Sequence, residues 1–151
     1  AASDVYKRQI PVYIHSADAV MLDRAQGMSE QSRTLFDAEN MVPIADLRDL
    51  DGDTLDIIGL NFRLRHAPGH SPGCVLIIAQ DCAFTGDVLF KGSIGRTDLM
   101  GSDPAAMSAS LRGPVWELDD ALSLLPGHGA TTTMRAERAT NPFLAQLREV
   151  M

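Results

Sequence analysis

The sequence of 151 residues has few cysteines, few basic side chains and no long apolar run. Cys74 and Cys82 are too few for the disulfide framework of a small secreted domain, which favours a reducing, cytoplasmic setting. Thirteen Lys and Arg against 20 Asp and Glu give a formal net charge of −7, which disfavours nucleic acid as a partner. The longest apolar run, residues 74–79, is far shorter than the roughly 20 residues of a membrane-spanning helix, so we expect no membrane partner.

The remaining composition, 45% hydrophobic and 22% charged residues, is that of an ordinary globular protein. The length allows one domain with its own core, or part of a larger one. Residues 1–9 stand apart, because DVYKRQ at positions 4–9 resembles the translation of a sequencing-library adapter. We therefore expect residues 1–9 to be a non-native tail and residues 10–151 to be the C-terminal portion of a single domain.

Hydrophobic periodicity and turn residues predict a mixture of strands and helices. The predicted strands are residues 10–15, 54–58, 61–67, 74–79, 82–87 and 121–125. The predicted helices are residues 16–27 with Ser16 as N-cap, residues 29–38, a helix after Asp103 and Pro104, and one capped within residues 131–133. A last helix is expected to bury Phe143, Leu144, Leu147 and Val150 in the core, and residues 91–102 are expected to form a loop.

Strands 74–79 and 82–87 are joined by two residues, which predicts a tight hairpin. If Ala79 pairs with Cys82, then Cys74 lies opposite Asp87. The loop before Cys74 would then end beside Asp87. The same register keeps the two cysteines apart, so no disulfide is expected between them.

A Pro-Gly-His tripeptide occurs twice, ending at His70 and His128, and Thr-Gly-Asp between them ends at Asp87. Histidine and aspartate are ligands of zinc and similar divalent metals. Proline fixes the backbone before each histidine, and glycine permits a bend and a close approach. Three such residues at the ends of three strands would meet at one edge of a sheet, which predicts a metal site.

The other two histidines are interpreted differently. His66 shares a strand face with Phe62 and Leu64, which favours a hydrogen-bonded role beside the ligands over metal binding. His15 is expected to be structural.

Three segments, HAPGHSPGCVLI, FTGDVLFKGSIGRTDL and LLPGHGATTTMRAERATNPFL, resemble the metallo-β-lactamase fold, specifically its glyoxalase II-like (hydroxyacylglutathione hydrolase-like) branch. The resemblance extends over most of the chain from about Ile10. It implies an α+β fold, a four-layer αββα sandwich. It also implies two divalent metal ions, zinc first with iron or manganese as alternatives, with His70 at site 1, His128 at site 2 and Asp87 as the catalytic bridging carboxylate.

The chain departs from this family at its first signature, H-x-H-x-D-H, which the sequence does not contain. In the family this motif precedes the region that matches Ile10. We therefore expect an N-terminally truncated chain that lacks the N-terminal part of the first sheet and is inactive by itself. The likeness also implies that Arg96 contacts the substrate, although Asp98 stands where glyoxalase II has an aromatic residue.

The resemblance implies a metallohydrolase that cleaves a small-molecule thioester of the hydroxyacylglutathione type with a hydroxide bridging the two metals. Two alternatives stay open. One is a sulfur dioxygenase of the same fold, which uses a single iron to oxidise persulfides. The other is a degenerate homologue that has lost catalysis.

The expected truncation makes a prediction about folding. Without most of its first sheet, the chain as written would expose the apolar face of the second, a surface that monomers seldom leave open. We expect a broad thermal transition and self-association, measured by circular dichroism and light scattering. A cooperative transition from a monodisperse monomer would contradict this.

Overall fold

The computed structural model describes residues 11–22, 30–35, 44 and 46–148. The chain divides into two compact units, Ala1–Asp51 and Gly52–Met151. Within the described residues, no helix is long and apolar enough to cross a membrane.

The first unit contains a two-stranded parallel sheet and short helices. Strand β1 (Val12–Ile14) pairs with β2 (Leu47–Asp49). Helix α1 (Ser16–Ala19) continues into a 3₁₀ turn (Val20–Leu22), and α2 covers Glu30–Leu35. Residue 10 of the first predicted strand and residues 23–27, 29 and 36–38 of the two predicted helices lie outside the described residues, as does the proposed adapter tail.

The predicted N-cap of the first helix was wrong by one residue. His15 is the N-cap, and its Nδ1 accepts the amide hydrogen of Ala17 at 3.2 Å. The amide of Ser16 instead donates to Asp51 Oδ1 at 2.7 Å. An imidazole nitrogen accepts a hydrogen bond as a hydroxyl does, so His15 has the structural role that we expected.

The second unit is built on a six-stranded mixed sheet. The strands are β3 (Thr54–Ile57), β4 (Leu60–His66), β5 (Val75–Ile78), β6 (Cys82–Gly86), β9 (Ser123–Pro126) and β10 (Thr132–Thr133). Their order in the sheet is β10-β9-β6-β5-β4-β3. Strands β6 and β9 pair in parallel, and the other neighbours are antiparallel. The prediction of an α+β fold is confirmed.

The hairpin of β5 and β6 has the predicted register. Ile78 lies opposite Ala83, and the amide of Ala79 donates to the carbonyl of Cys82 at 2.8 Å. The paired strands stop at Gly86 and Val75, so Asp87 and Cys74 lie just beyond their ends. Both cysteines are free thiols.

The predicted loop 91–102 was partly wrong, because a second, smaller hairpin lies at its start. Its strands are β7 (Leu89–Phe90) and β8 (Ser93–Ile94). Strands of two residues leave no alternation for a sequence pattern to detect. Gly92, at φ +68°, supplies the left-handed residue of the turn.

Three helices cover one face of the six-stranded sheet. They are α3 (Pro104–Ser110), which continues into a π-helical turn (Leu111–Val115), α4 (Met134–Thr140) and α5 (Pro142–Arg148). The core contains Leu76, Ile78, Ala83 and Leu124 of the sheet and Met107, Leu111, Val115, Met134, Leu144 and Leu147 of the helical layer.

The opposite face carries the row Leu64, Ile77, Phe84 and Leu125, in which Leu64 is buried and Phe84 is exposed. The predicted core stripe of the last helix is correct for Leu144 and Leu147. Phe143 was assigned wrongly, since it is exposed, and Val150 lies outside the described residues.

Helix α3 has the predicted N-cap, which gives a stability prediction. The Asp103 carboxylate accepts the amides of Ala105 and Ala106 at 2.7 and 3.1 Å, and Pro104 occupies the first turn. In the full-length protein, we expect Asp103→Ala to lower the free energy of unfolding by about 1 kcal/mol in urea titration, because two helical amides lose their acceptor. Asp103→Asn, which retains an acceptor oxygen, should lose much less, and equal losses would contradict the capping role.

Candidate metal centre

The strand directions of the second unit bring three predicted ligands to one edge of the sheet. Strands β4, β6 and β9 run in the same direction, since β5 is antiparallel to both β4 and β6 and β9 is parallel to β6. His70 follows β4, Asp87 follows β6 and His128 follows β9. The three side chains therefore leave the same end of the sheet.

The carboxylate of Asp87 lies between the two imidazoles. Its Oδ2 is 3.5 Å from Nε2 of His70, and its Oδ1 is 3.2 Å from Nδ1 of His128. The side chain of His70 is 22% exposed, whereas that of His128 is 71% exposed. Each carboxylate oxygen thus faces one histidine.

The donor chemistry of these three residues fits divalent metals, but their number is too small for a complete site. Imidazole nitrogen and carboxylate oxygen are zinc ligands, and a structural or catalytic zinc uses three or four protein donors. In the part of the chain that the structure describes, no group of three or more His, Cys, Asp and Glu side chains is placed to hold one ion. The pairs of Asp87 with His70 and with His128 could each supply part of a coordination shell.

A main-chain hydrogen bond fixes the position of one hydrogen on His70. Its Nδ1 lies 2.9 Å from the carbonyl oxygen of Arg96, which can only accept, so Nδ1 carries a hydrogen. The other ring nitrogen, Nε2, faces Asp87 Oδ2 at 3.5 Å. A cation between this nitrogen and the carboxylate could be bound by both, so the geometry suits a metal ligand.

Glycines allow the close approach of the segments around Asp87. A Cβ atom on Gly127 would lie 2.5 Å from Asp87 Oδ1, and a Cβ on Gly95 would overlap the carbonyl oxygen of Asp87. The amide of Gly127 also donates to the carbonyl of Gly86 at 2.9 Å, which continues the pairing of β6 and β9. The glycine before His128 therefore serves close approach, as predicted.

The loop of His70 is held by neighbours on several sides. His66 Nε2 lies 2.7 Å from the carbonyl oxygen of Pro72, which agrees with the hydrogen-bonded role expected for His66. The hydroxyl of Ser102 donates to the carbonyl of His70 at 2.7 Å. Ser71 Oγ lies 3.2 Å from the thiol sulfur of Cys74, three residues along the chain, so Cys74 contacts this loop from its C-terminal end.

The side chain of Arg96 lies on the same loop but pairs with a neighbour. Its guanidinium donates to both oxygens of Asp98 at 2.8 Å, and both side chains are exposed. These hydrogen bonds hold the pKa of Asp98 below its ordinary value. The main-chain oxygen of Arg96, and not its side chain, contacts His70. A substrate role for the guanidinium stays a prediction.

Sequence reasoning missed two contacts at this centre. The ring of Phe90 packs against that of His128 with 4.5 Å between ring centroids, and Ser102 anchors the His70 loop. Phe90 lies in the short hairpin that the sequence pattern did not reveal. The apolar run Val88-Leu89-Phe90, directly after Asp87, was the one available signal.

The sequence profile of the Metallo-beta-lactamase superfamily matches residues 5–132. An uncharacterized protein of Mycobacterium tuberculosis, Rv2581c, is 38% identical over 151 residues, covering 91% of this chain and 66% of its own length. Hydroxyacylglutathione hydrolase GloC of Haemophilus influenzae is 43% identical over 96 residues, 62% of this chain and 45% of its own length. The solved structure of TTHA1623 in a di-iron-bound form matches with a TM-score of 0.76 and 35% identity, over 95% of this chain and 70% of that one.

These comparisons agree with the fold that the sequence implied, the α+β sandwich of metallo-β-lactamases. The chain spans about two thirds of the length of the first curated relatives that it matches.

The space at Gly127 gives a prediction for the full-length protein. We expect Gly127→Ala to displace the Asp87 carboxylate and to lower metal affinity and hydrolytic activity at least about 10-fold, since supporting contacts of ligands have effects of that size. Gly113→Ala is the matched control, because a Cβ there meets nothing within 4 Å. Metal content and activity equal in the two variants would show that Asp87 tolerates the methyl group.

Proposed function

Because the chain belongs to the metallo-β-lactamase superfamily, we propose that it is part of a metal-dependent thioester hydrolase of the hydroxyacylglutathione hydrolase type. The superfamily consists generally of metal-dependent hydrolases, typically with two metal ions. The observation that carries the proposal is the carboxylate of Asp87, which directs one oxygen to His70 and the other to His128.

His70, Asp87 and His128 would hold two divalent cations, with Asp87 between them. When bound, such cations would lower the pKa of a water molecule and would polarise the substrate carbonyl. Zinc is our first choice for the metal, although the di-iron form of TTHA1623 makes iron a direct competitor. The remaining ligands of each shell are proposed to come from sequence upstream of Ile10, where a related H-x-H-x-D-H motif is expected.

The residues of this chain mainly position and shield the reacting groups. The carbonyl of Arg96 keeps the hydrogen of His70 on Nδ1, so that Nε2 faces the centre. Glycine at position 127 leaves room for the Asp87 oxygen that faces His128. A thiol leaving group has a pKa of about 8.5, so it departs as a thiolate near neutral pH without a strong general acid.

A thioester substrate is supported by the similarity to GloC, which is a hydroxyacylglutathione hydrolase. The charge of the loop that carries Arg96 and Asp98 limits how much of glutathione this loop would recognise. Asp98 neutralises Arg96 through two hydrogen bonds, which leaves less positive charge for the carboxylates of glutathione. We therefore propose thioesters as the class and a hydroxyacylglutathione as the first substrate to test.

The test uses the full-length protein encoded at the same locus. We expect about two divalent metal ions per chain by elemental analysis. We also expect hydrolysis of a hydroxyacylglutathione, measured through the thiol that is released. His70→Ala, Asp87→Ala and His128→Ala should each lower kcat/KM by at least about 100-fold, because each removes a proposed metal donor. His15→Ala is the matched control, since this histidine caps a helix of the first unit.

Two results would contradict the proposal. A single iron per chain with oxygen uptake on glutathione persulfide would identify a sulfur dioxygenase. A folded full-length protein that binds no metal and cleaves no thioester would identify a non-catalytic homologue.

A further inference from the structure

Helix α4 carries a buried carboxylate that the proposed chemistry does not use. Glu137 is 1% exposed, and Asn141, one turn later, is fully buried. A carboxylate is costly to bury unless hydrogen bonds replace the water that it loses. The partners of Glu137 therefore indicate what its burial achieves.

One oxygen of Glu137 holds the segment that follows His128. The hydroxyl of Thr132 donates to Oε1 at 2.6 Å. Thr132 begins β10, four residues after His128. This hydrogen bond ties the end of the His128 loop to helix α4.

The other oxygen holds the hairpin of β7 and β8. Oε2 accepts the amide of Gly92 at 2.8 Å and the side-chain amide of Asn141 at 2.9 Å. The same Asn141 nitrogen lies 3.1 Å from the carbonyl of Ser93 and 3.4 Å from that of Phe90. The hairpin is thus fixed through its turn and through both of its strands.

The two segments held by Glu137 meet at His128. Phe90 of the hairpin packs its ring on the imidazole, and the Thr132 segment carries the backbone of the same histidine. The side chain of His128 is 71% exposed, and its ring contacts are Phe90 and Asp87. An exposed imidazole has little packing to orient it, so its direction depends on these few contacts.

We propose that Glu137 is a positioning residue for His128. Its two oxygens fix the distance between the loop that carries the imidazole and the hairpin that carries the ring against it. An apolar side chain could fill the same space, but it could not accept hydrogen bonds from both segments. The effect on metal binding rests on the proposed function, whereas the effect on His128 itself does not.

The test compares Glu137→Gln with Phe90→Leu and the control Glu117→Gln in the full-length protein. Glutamine has a single acceptor oxygen, so it cannot accept from Thr132 on one side and from Gly92 and Asn141 on the other at the same time. Glu117 is an exposed glutamate, so Glu117→Gln removes one negative charge, as Glu137→Gln does. Phe90→Leu removes the ring and leaves the hydrogen-bond network intact.

The first readout is the chemical shift of the His128 ring protons, measured by NMR with and without zinc and assigned with His128→Ala. Phe90→Leu removes the ring-current shift, and we expect Glu137→Gln to move the same signals in the same direction while the ring signals of His15 stay unchanged. The second readout is zinc titration. Phe90→Leu and Glu137→Gln should each lower the affinity for the second zinc ion about 10- to 100-fold. Glu117→Gln should match the wild type in both.

A Glu137→Gln variant that only lowers Tm, with wild-type His128 signals, would overturn the proposal and leave Glu137 as a core residue. If Glu137→Gln does not fold, Thr132→Val decides, because it removes one donor to the carboxylate and keeps the side-chain volume. Unchanged His128 signals in Thr132→Val would equally overturn the proposal. If the wild type proves to bind no metal, the NMR comparison still tests the positioning of His128.

Discussion

The parallel pairing of β6 with β9 is the constraint on which the rest of the second unit depends. It places Gly86 opposite Pro126, so the next residues, Asp87 and Gly127-His128, leave the sheet side by side. The amide of Gly127 extends the pairing by one more hydrogen bond, to Gly86. An aspartate and a histidine that are 41 positions apart in sequence thereby share one edge. Backbone hydrogen bonds, rather than side-chain packing, set their separation.

The candidate metal centre is consequently held largely by main-chain contacts around a few imidazole and carboxylate groups. The Arg96 carbonyl orients His70, Gly95 leaves room for the carbonyl oxygen of Asp87, and Gly127 leaves room for its carboxylate. The guanidinium of Arg96, on the same loop, is instead occupied by both carboxylate oxygens of Asp98. The main chain of residue 96 and its side chain therefore serve different contacts.

Local features of the fold could be predicted from the sequence, because they depend on neighbouring residues. The two-residue link fixed the register of the β5 and β6 hairpin, and Asp103 before Pro104 located a helix start. The convergence of His70, Asp87 and His128 followed from their places after strands. The contacts of Glu137 could not be predicted, since Gly92 lies 45 residues away and no periodic pattern links an amide to a distant carboxylate. Phe143 was misplaced because helical spacing identifies a face but not where that face ends.

The hydrogen bond from His70 to the carbonyl of residue 96 also bears on how this protein can evolve. Every amino acid has a main-chain carbonyl, so substitution at position 96 does not by itself remove that acceptor. Positions 96 and 98 can therefore diverge, and with them the charge of the loop, while the orientation of His70 is inherited unchanged. The direction of the His70 imidazole and the charge of the loop are thus free to change independently of each other.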